Sequence, residues 1–245
     1  MNDKRDVSRG RRDFLKRGGA VVAVVAMSQG ALFAGAAAPA SAPEVSPLED
    51  LMREHGLLSR ILLIYDEVMR RLQVNAPGAT AAAAGAADIV RRFVEDYHEK
   101  LEEERIFPRF EKAGEQADLV KTLLAQHQAG RRLTDAIMPL AEAGARTRLA
   151  RRQLGEHLRL FTRMYGPHKA REDTVLFPAL HGLVSASEYD AMGNAFEDRE
   201  RALFGEHGFE TMVAKIADIE KRLGIYDLSR FMPRAQRPAS RTVSS

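Results

Sequence analysis

Seven histidines occur in this 245-residue chain, and four of them fall into a repeated pattern with two glutamates. His98 is followed four residues later by Glu102, and then by Phe107-Pro108. His168 is followed by Glu172 and Phe177-Pro178, every position displaced by 70 residues. A lone histidine precedes each copy, His55 by 43 residues and His127 by 41. On an α-helix, residues i and i+4 share a face one turn apart, so each His-x3-Glu pair can reach one centre. Imidazole with carboxylate suits iron, manganese or zinc. Two carboxylates in an apolar core are costly unless paired or metal-bound. No lysine lies on the stripes that carry Glu102 and Glu172, and only Arg105 comes near them. A pair of divalent ions bridged by both carboxylates removes the cost, and redox use with open coordination positions points to iron.

The elements that must position these residues are helices. Ser46-Pro47-Leu48-Glu49 has the marks of a helix start, with Ser as N-cap and Pro in the first turn. From there Leu48, His55, Leu62 and Met69 recur every seven residues, and Leu51, Leu58, Tyr65 and Leu72 follow three residues out of phase. His55 therefore occupies a core position of a bundle helix. The stretch from Ala76 to Gly85 reads as a flexible connection. A second helix is expected from Ala86 to Glu111, carrying His98 and Glu102. A third is expected from Gln116 to between Pro139 and Gly144, with Leu123, His127, Gly130 and Thr134 on one side. A fourth is expected from Thr147 to Leu180, through Tyr165, His168 and Glu172, with Pro167 bending it. Ser185-Ala186-Ser187-Glu188 is a capping box that opens a fifth helix, interrupted near Gly205 and Gly208 and ending at Gly224. No alternating strand pattern is present. The fold class expected is all-α: an up-down four-helix bundle over residues 47–182, a C-terminal helical extension over 185–225, and a disordered tail over 230–245. The Phe-Pro pairs read locally as helix ends closed by an aromatic plug.

Several chemistries are excluded. Without cysteine there are no disulfides, thiolate zinc sites, iron–sulfur clusters or thiol nucleophiles. The zincin His-Glu-x-x-His is absent. A ferritin-like carboxylate bundle needs Glu-x-x-His on two helices, and only Glu95-x-x-His98 matches. His157 lies near an apolar face and His207 sits between glycines; both fall outside the repeat and read as structural or surface residues. Tyr65 and Tyr97, on or beside the core stripes, read as packing residues.

The chain's basic balance is concentrated at its ends. Residues 1–42 hold seven Lys/Arg and three Asp/Glu, and residues 230–245 hold four Arg and no acid. Removing these from the totals of 37 and 34 leaves a body with 26 basic and 31 acidic residues, which argues against a nucleic-acid partner. The arginines at 131, 132, 146, 148, 151 and 152 read as a solvated helix–loop–helix corner. Gly10-Arg11-Arg12-Asp13-Phe14-Leu15-Lys16 resembles a twin-arginine export signal. It precedes a weakly apolar run from Ala20 to Ala38 and small-residue cleavage sites. The expectation is a signal peptide and linker over residues 1–42, use of the twin-arginine export machinery, and a periplasmic location. Membrane contact would arise only through an uncleaved leader.

The two His-x3-Glu…Phe-Pro segments, with the lone histidines before them, resemble the hemerythrin family in its HHE cation-binding branch. The resemblance covers roughly Pro47 to Gly182. It implies an up-down bundle with His55, His98, His127 and His168 as terminal ligands and Glu102 and Glu172 bridging two non-heme irons through an oxo or hydroxo group. It implies binding of O2 or a related small ligand such as nitric oxide or peroxide. The oxygen carriers have a further histidine one turn from the third-helix ligand; here Leu123 and Arg131 stand at those places. The carriers also place an Asp five residues after the fourth-helix His, where this chain has Asp173; Glu172 keeps the spacing of the first copy and is preferred. One imidazole fewer leaves an extra open position, which favours redox turnover over clean oxygen storage. A diiron oxidoreductase acting on peroxide, nitric oxide or ferrous iron, and a metal- or oxygen-responsive sensory module, are the alternative expectations.

Overall fold

A computed structural model of the chain describes residues 45–233. The leader and its twin-arginine motif lie outside the described residues, as do residues 234–245. Among the described residues there are six helices and no strand.

Helix α1 (Pro47–Gln73) begins where Ser46 accepts a hydrogen bond from the Glu49 backbone N–H at 3.2 Å. Glu49 and Asp50 in its first turn, and Arg70 and Arg71 in its last, both complement the helix dipole. Helix α2 covers residues 79–113, beginning with the segment Ala79–Ile89. This corrects the expected connection from Ala76 to Gly85. Alanine is the strongest helix former, and the buried Ala79, Ala82, Ala83, Ala86 and Ala87 give the segment a thin face on which another helix can pack closely. Gly78, at φ 81°, supplies the left-handed turn before it. Helix α3 is Ala117–Glu142. Helix α4 starts at Arg148, capped by Thr147, and continues to Leu180. Pro139 and Pro167 lie within α3 and α4 without ending them.

Successive helices pack side by side, and α4 closes against α1, giving an up-down four-helix bundle. Its centre is filled by aromatic side chains: Tyr65 meets Phe161 edge-on at 5.3 Å, and Phe161 packs on Tyr165 at 4.4 Å.

The C-terminal extension is two helices. Helix α5 (Ala186–Phe204) opens with the complete Ser185–Glu188 capping box, and α6 (Gly208–Leu223) ends at Gly224. Helix α6 packs against α1 and the Ala-rich start of α2, where a Cβ on Gly85 would sit 3.3 Å from Ile219 Cδ1. Leu228–Phe231 form a 3-10 turn held by Asp227, so regular structure reaches into the segment expected to be disordered. Among the described residues no helix is long and apolar enough to cross a membrane.

Candidate metal centre

The bundle brings His55, His98, Glu102, His127, His168 and Glu172 to one place between α1, α2, α3 and α4, all of them buried. His55 Nε2 and His98 Nε2 approach to 3.0 Å, and His127 Nε2 and His168 Nε2 to 3.2 Å. The two carboxylates lie between these pairs. Glu102 faces His98 Nε2 at 3.6 Å with one oxygen and His127 Nε2 at 3.4 Å with the other. Glu172 Oε2 is 3.4 Å from His55 Nε2 and 3.2 Å from His168 Nε2, and Oε1 is 4.0 Å from His127 Nε2. Each glutamate thus spans both imidazole pairs.

Each ligand helix changes its winding where its glutamate sits. Helix α2 becomes π-helical over Val90–His98 and again over Glu102–Ile106; α4 does so over Glu172–Leu176. The Phe107 N–H bonds to the carbonyl of Glu102 and the Phe177 N–H to that of Glu172, five residues back. The wider turn accommodates Pro108 and Pro178, which lack an N–H and would crowd the carbonyl four residues earlier. The aromatic neighbours are more than plugs. Phe107 stacks on His127 at 5.5 Å, and Phe177 stacks on His55 at 5.6 Å. In each case the Phe-Pro helix holds the lone histidine of the next one.

A second ring of residues orients the imidazoles. His55 Nδ1 meets Asp173 Oδ1 at 2.7 Å, and His98 Nδ1 meets Glu54 Oε2 at 2.8 Å. His127 Nδ1 meets Glu103 Oε1 at 3.1 Å, and His168 Nδ1 meets Gln126 Oε1 at 2.9 Å. Every outer acceptor adjoins an inner ligand in sequence: Glu54 precedes His55, Gln126 precedes His127, Glu103 follows Glu102, and Asp173 follows Glu172. Sequence reasoning passed over Glu54, Glu103 and Gln126, although the duplication was visible in acceptors at matching offsets. Asp173 orients His55, while Glu172 points inward.

With each Nδ1–H donated outward, the Nε2 lone pairs face the centre. Both oxygens of Glu102 and both of Glu172 are buried and accept no hydrogen bond. Four imidazole Nε2 atoms and four carboxylate oxygens that lack a hydrogen-bond partner therefore converge on one centre, a donor set that fits a cation. Adjacent ligands about 2.1 Å from one ion stand about 3.0 Å apart, close to the separation within each histidine pair.

Arg105 is exposed and neutralises neither glutamate, which corrects the expectation that it comes near them. The basic residue that reaches inward is Arg131. Its guanidinium contacts Glu99 and Glu103 at 2.8 Å each, so it leaves the solvated corner to which its sequence neighbours assigned it. Glu99 also accepts from Tyr165 Oη at 2.6 Å, and the Tyr165 ring meets His168 edge-on. His157 is half-buried and His207 exposed, both away from the ligand set. Tyr65 packs in the core. Tyr97 packs on Phe93 and Phe204 with its hydroxyl toward Glu200.

The electrostatics of the metal-free site follow from burial. Burial lowers His55 to about 4 against the pull of Asp173, His127 to about 3 against that of Glu103, and His168 to about 3. Burial also opposes protonation of His98, but Glu102 and Glu54 overcome it and raise His98 to about 9. Burial and the charge of Glu172 hold Glu102 well above the usual carboxylate range, and burial lifts Glu172 to about 8. At neutral pH the empty centre retains protons on Glu172 and His98. Their folded pKa values exceed the unfolded ones, so they stabilise the metal-free fold at low pH, and that contribution is lost as pH rises through about 8 and 9. A metal ion must displace those protons. Metal affinity is expected to rise roughly tenfold per pH unit for each proton displaced. Titrations of a divalent metal between pH 6 and 8.5 should show this slope and a matching proton release; a flat profile would contradict it.

The outer ring has its own expected result. Glu54→Gln or Asp173→Asn should weaken metal binding by about 10- to 100-fold. Equilibrium dialysis measures the loss, and His157→Ala should bind as the parent does.

The hemerythrin HHE cation-binding domain model matches residues 46–180. Two uncharacterized proteins from strains of Mycobacterium tuberculosis and one from Mycobacterium bovis are each 47% identical over 232 residues, covering 91% of this chain and 91% of the relative. No solved structure matches. With an all-helical bundle that gathers the repeated His and Glu residues into one buried cluster, the chain belongs to the hemerythrin HHE cation-binding family.

Proposed function

We propose that the protein holds two iron ions between α1, α2, α3 and α4 and uses them to bind dioxygen or a related small ligand such as nitric oxide or peroxide. One observation carries this reading: Glu102 and Glu172 are fully buried, lack hydrogen-bond donors, and each lies between two imidazole pairs. Histidines 55 and 98 would hold one ion, histidines 127 and 168 the other, and the two glutamates would bridge them. Iron in such a site supplies small-ligand binding and redox chemistry. The chain contributes preorganisation. Asp173, Glu54, Glu103 and Gln126 fix the imidazole tautomers, while Phe107 and Phe177 stack on His127 and His55.

Metal analysis with visible absorption spectra of the purified protein, reduced, in air and with peroxide, tests the reading. About two irons per chain with an oxo-bridged charge-transfer spectrum supports it; one zinc, or no metal after anaerobic iron loading, overturns it. Reversible spectra on cycling oxygen favour ligand binding, and rapid loss of peroxide or nitric oxide favours an oxidoreductase.

A sensory reading has one observation in its favour. Glu54, which orients His98, gathers with Asp50 and with Glu200 of α5, ligand atoms lying within 4.8 Å of one another. Glu200 also accepts from the Phe209 N–H at the start of α6. Metal state would then alter the packing of α5 and α6. Equal protease sensitivity of these helices in metal-free, reduced and oxidised protein would exclude it.

Export in the folded state through the twin-arginine machinery is proposed from Arg11-Arg12-Asp13-Phe14-Leu15-Lys16 and the apolar run from Ala20 to Ala38. Retention in the cytoplasm of a tagged chain with an intact Arg-Arg pair would count against it.

A further inference from the structure

The end of the bundle remote from the metal centre contains a second concave site. A cleft of about 690 Å³ lies between the C-terminal end of α1 and the N-terminal end of α4. Its floor is apolar, formed by Met69 and Leu72, and its α4 side carries Arg148, Arg151, Arg152 and Arg159. The volume lies within the usual range for small-molecule sites. Arg151 is 17 residues from His168 on the same helix, about 25 Å along the axis, so the cleft is separate from the ligand cluster.

The charge in this cleft is uncompensated. Glu156 is its one acidic lining residue, and both its oxygens are taken by Arg159, at 2.9 and 2.7 Å. Arg151 spends one nitrogen on the carbonyls of Ala145 and Arg146. Arg148 and Arg152 are exposed at the cleft rim. Across the cleft, α1 and the following connection contribute Gln73 and Asn75, both neutral. The first turn of α4 holds no acidic residue, so its arginines stand at the positive end of the helix dipole, where cations are unfavourable. A bound anion would relieve that repulsion, and guanidinium groups suit phosphate oxygens in particular.

We propose that this cleft binds a small phosphorylated molecule. Arg148, Arg151 and Arg152 hold its di- or triphosphate, and its apolar or aromatic part lies against Met69 and Leu72. Calorimetric titration of the metal-loaded full chain with ADP, and with adenosine as the uncharged control, tests this. ADP is expected to bind once per chain, and the double variant Arg148→Gln/Arg152→Gln to bind it at least tenfold more weakly. Adenosine should show no comparable binding, and Lys121→Gln, on exposed α3 surface, should match the parent within twofold. The double variant should also melt slightly higher than the parent without ligand, because two cations leave the helix start; a purely structural role for these arginines would lower it. Absence of saturable ADP binding overturns the proposal, as does equal affinity in the double variant, which is the result expected if ADP merely chelates the metal. Binding to phosphatidylglycerol vesicles without binding to ADP also overturns it and assigns the arginines to a lipid surface.

Discussion

Replacing Glu102 by Gln is expected to abolish dinuclear metal loading while stabilising the metal-free protein. Glu102 is a fully buried carboxylate with no hydrogen-bond donor, and burial raises it above the ordinary carboxylate range even against the pull of His98. The amide keeps the shape, removes the cost of burying a carboxylate and takes away the charge that would bridge the two ions. Metal content should fall from about two ions per chain to one or none, and the melting-temperature gain on metal addition should largely disappear. The metal-free variant should melt above the metal-free parent, by about 2–4 °C for each kcal/mol of carboxylate burial cost relieved in a chain of this size. Elemental analysis and calorimetric melts, with and without metal, measure both effects. A variant that still loads two ions would show that the carboxylates do not bridge. A variant that loses metal and also melts lower without it would show that Glu102 is a structural residue.

Gly130→Ala is expected to be among the most damaging single-methyl additions in the bundle. A Cβ there would overlap Tyr165 Oη and lie 2.7 Å from Cζ and 2.8 Å from Cε2. The ring has little room to yield, because it packs on Phe161 at 4.4 Å and donates to the buried Glu99 at 2.6 Å. Moving it costs overpacking energy and leaves Glu99 with a weakened partner, a loss of about 2–4 kcal/mol. Because the same ring abuts His168, metal binding should weaken with stability. Denaturant unfolding and metal titration of the variant check the two effects. Gly155→Ala, where no atom lies within 4 Å of the added carbon, should be neutral or mildly stabilising.

The helices and their order were legible because each carries a stripe of the helical period and most have recognisable ends. Ser46, Thr147 and Ser185 serve as N-caps as their side chains allow, and Gly224 ends α6 in the left-handed conformation. The start of α2 was misread because alanines flanked by Pro and Gly carry little amphipathic signal. What surrounds them is tertiary: α1 and α3 pack on the segment, and so does α6, a partner more than a hundred residues distant. Arg131 was misread for a related reason. Its sequence neighbours are exposed arginines, and only the positions of Glu99 and Glu103 on the adjacent helix turn it inward.

The repeat of His, His-x3-Glu and Phe-Pro determined by itself which His and Glu side chains can share a centre and the helices that carry them, because i and i+4 share a helix face in any packing. The partners across the bundle were decided by tertiary structure alone. Packing α4 against α1 sets Phe177 on His55 and Asp173 at its Nδ1, and packing α2 against α3 sets Phe107 on His127 and Glu103 at its Nδ1. The physical reason is that a helical period specifies which residues face inward but carries no information on which inward residue of another helix they will meet. That depends on axial register, and here the register places every imidazole between an outer acceptor and an inner carboxylate.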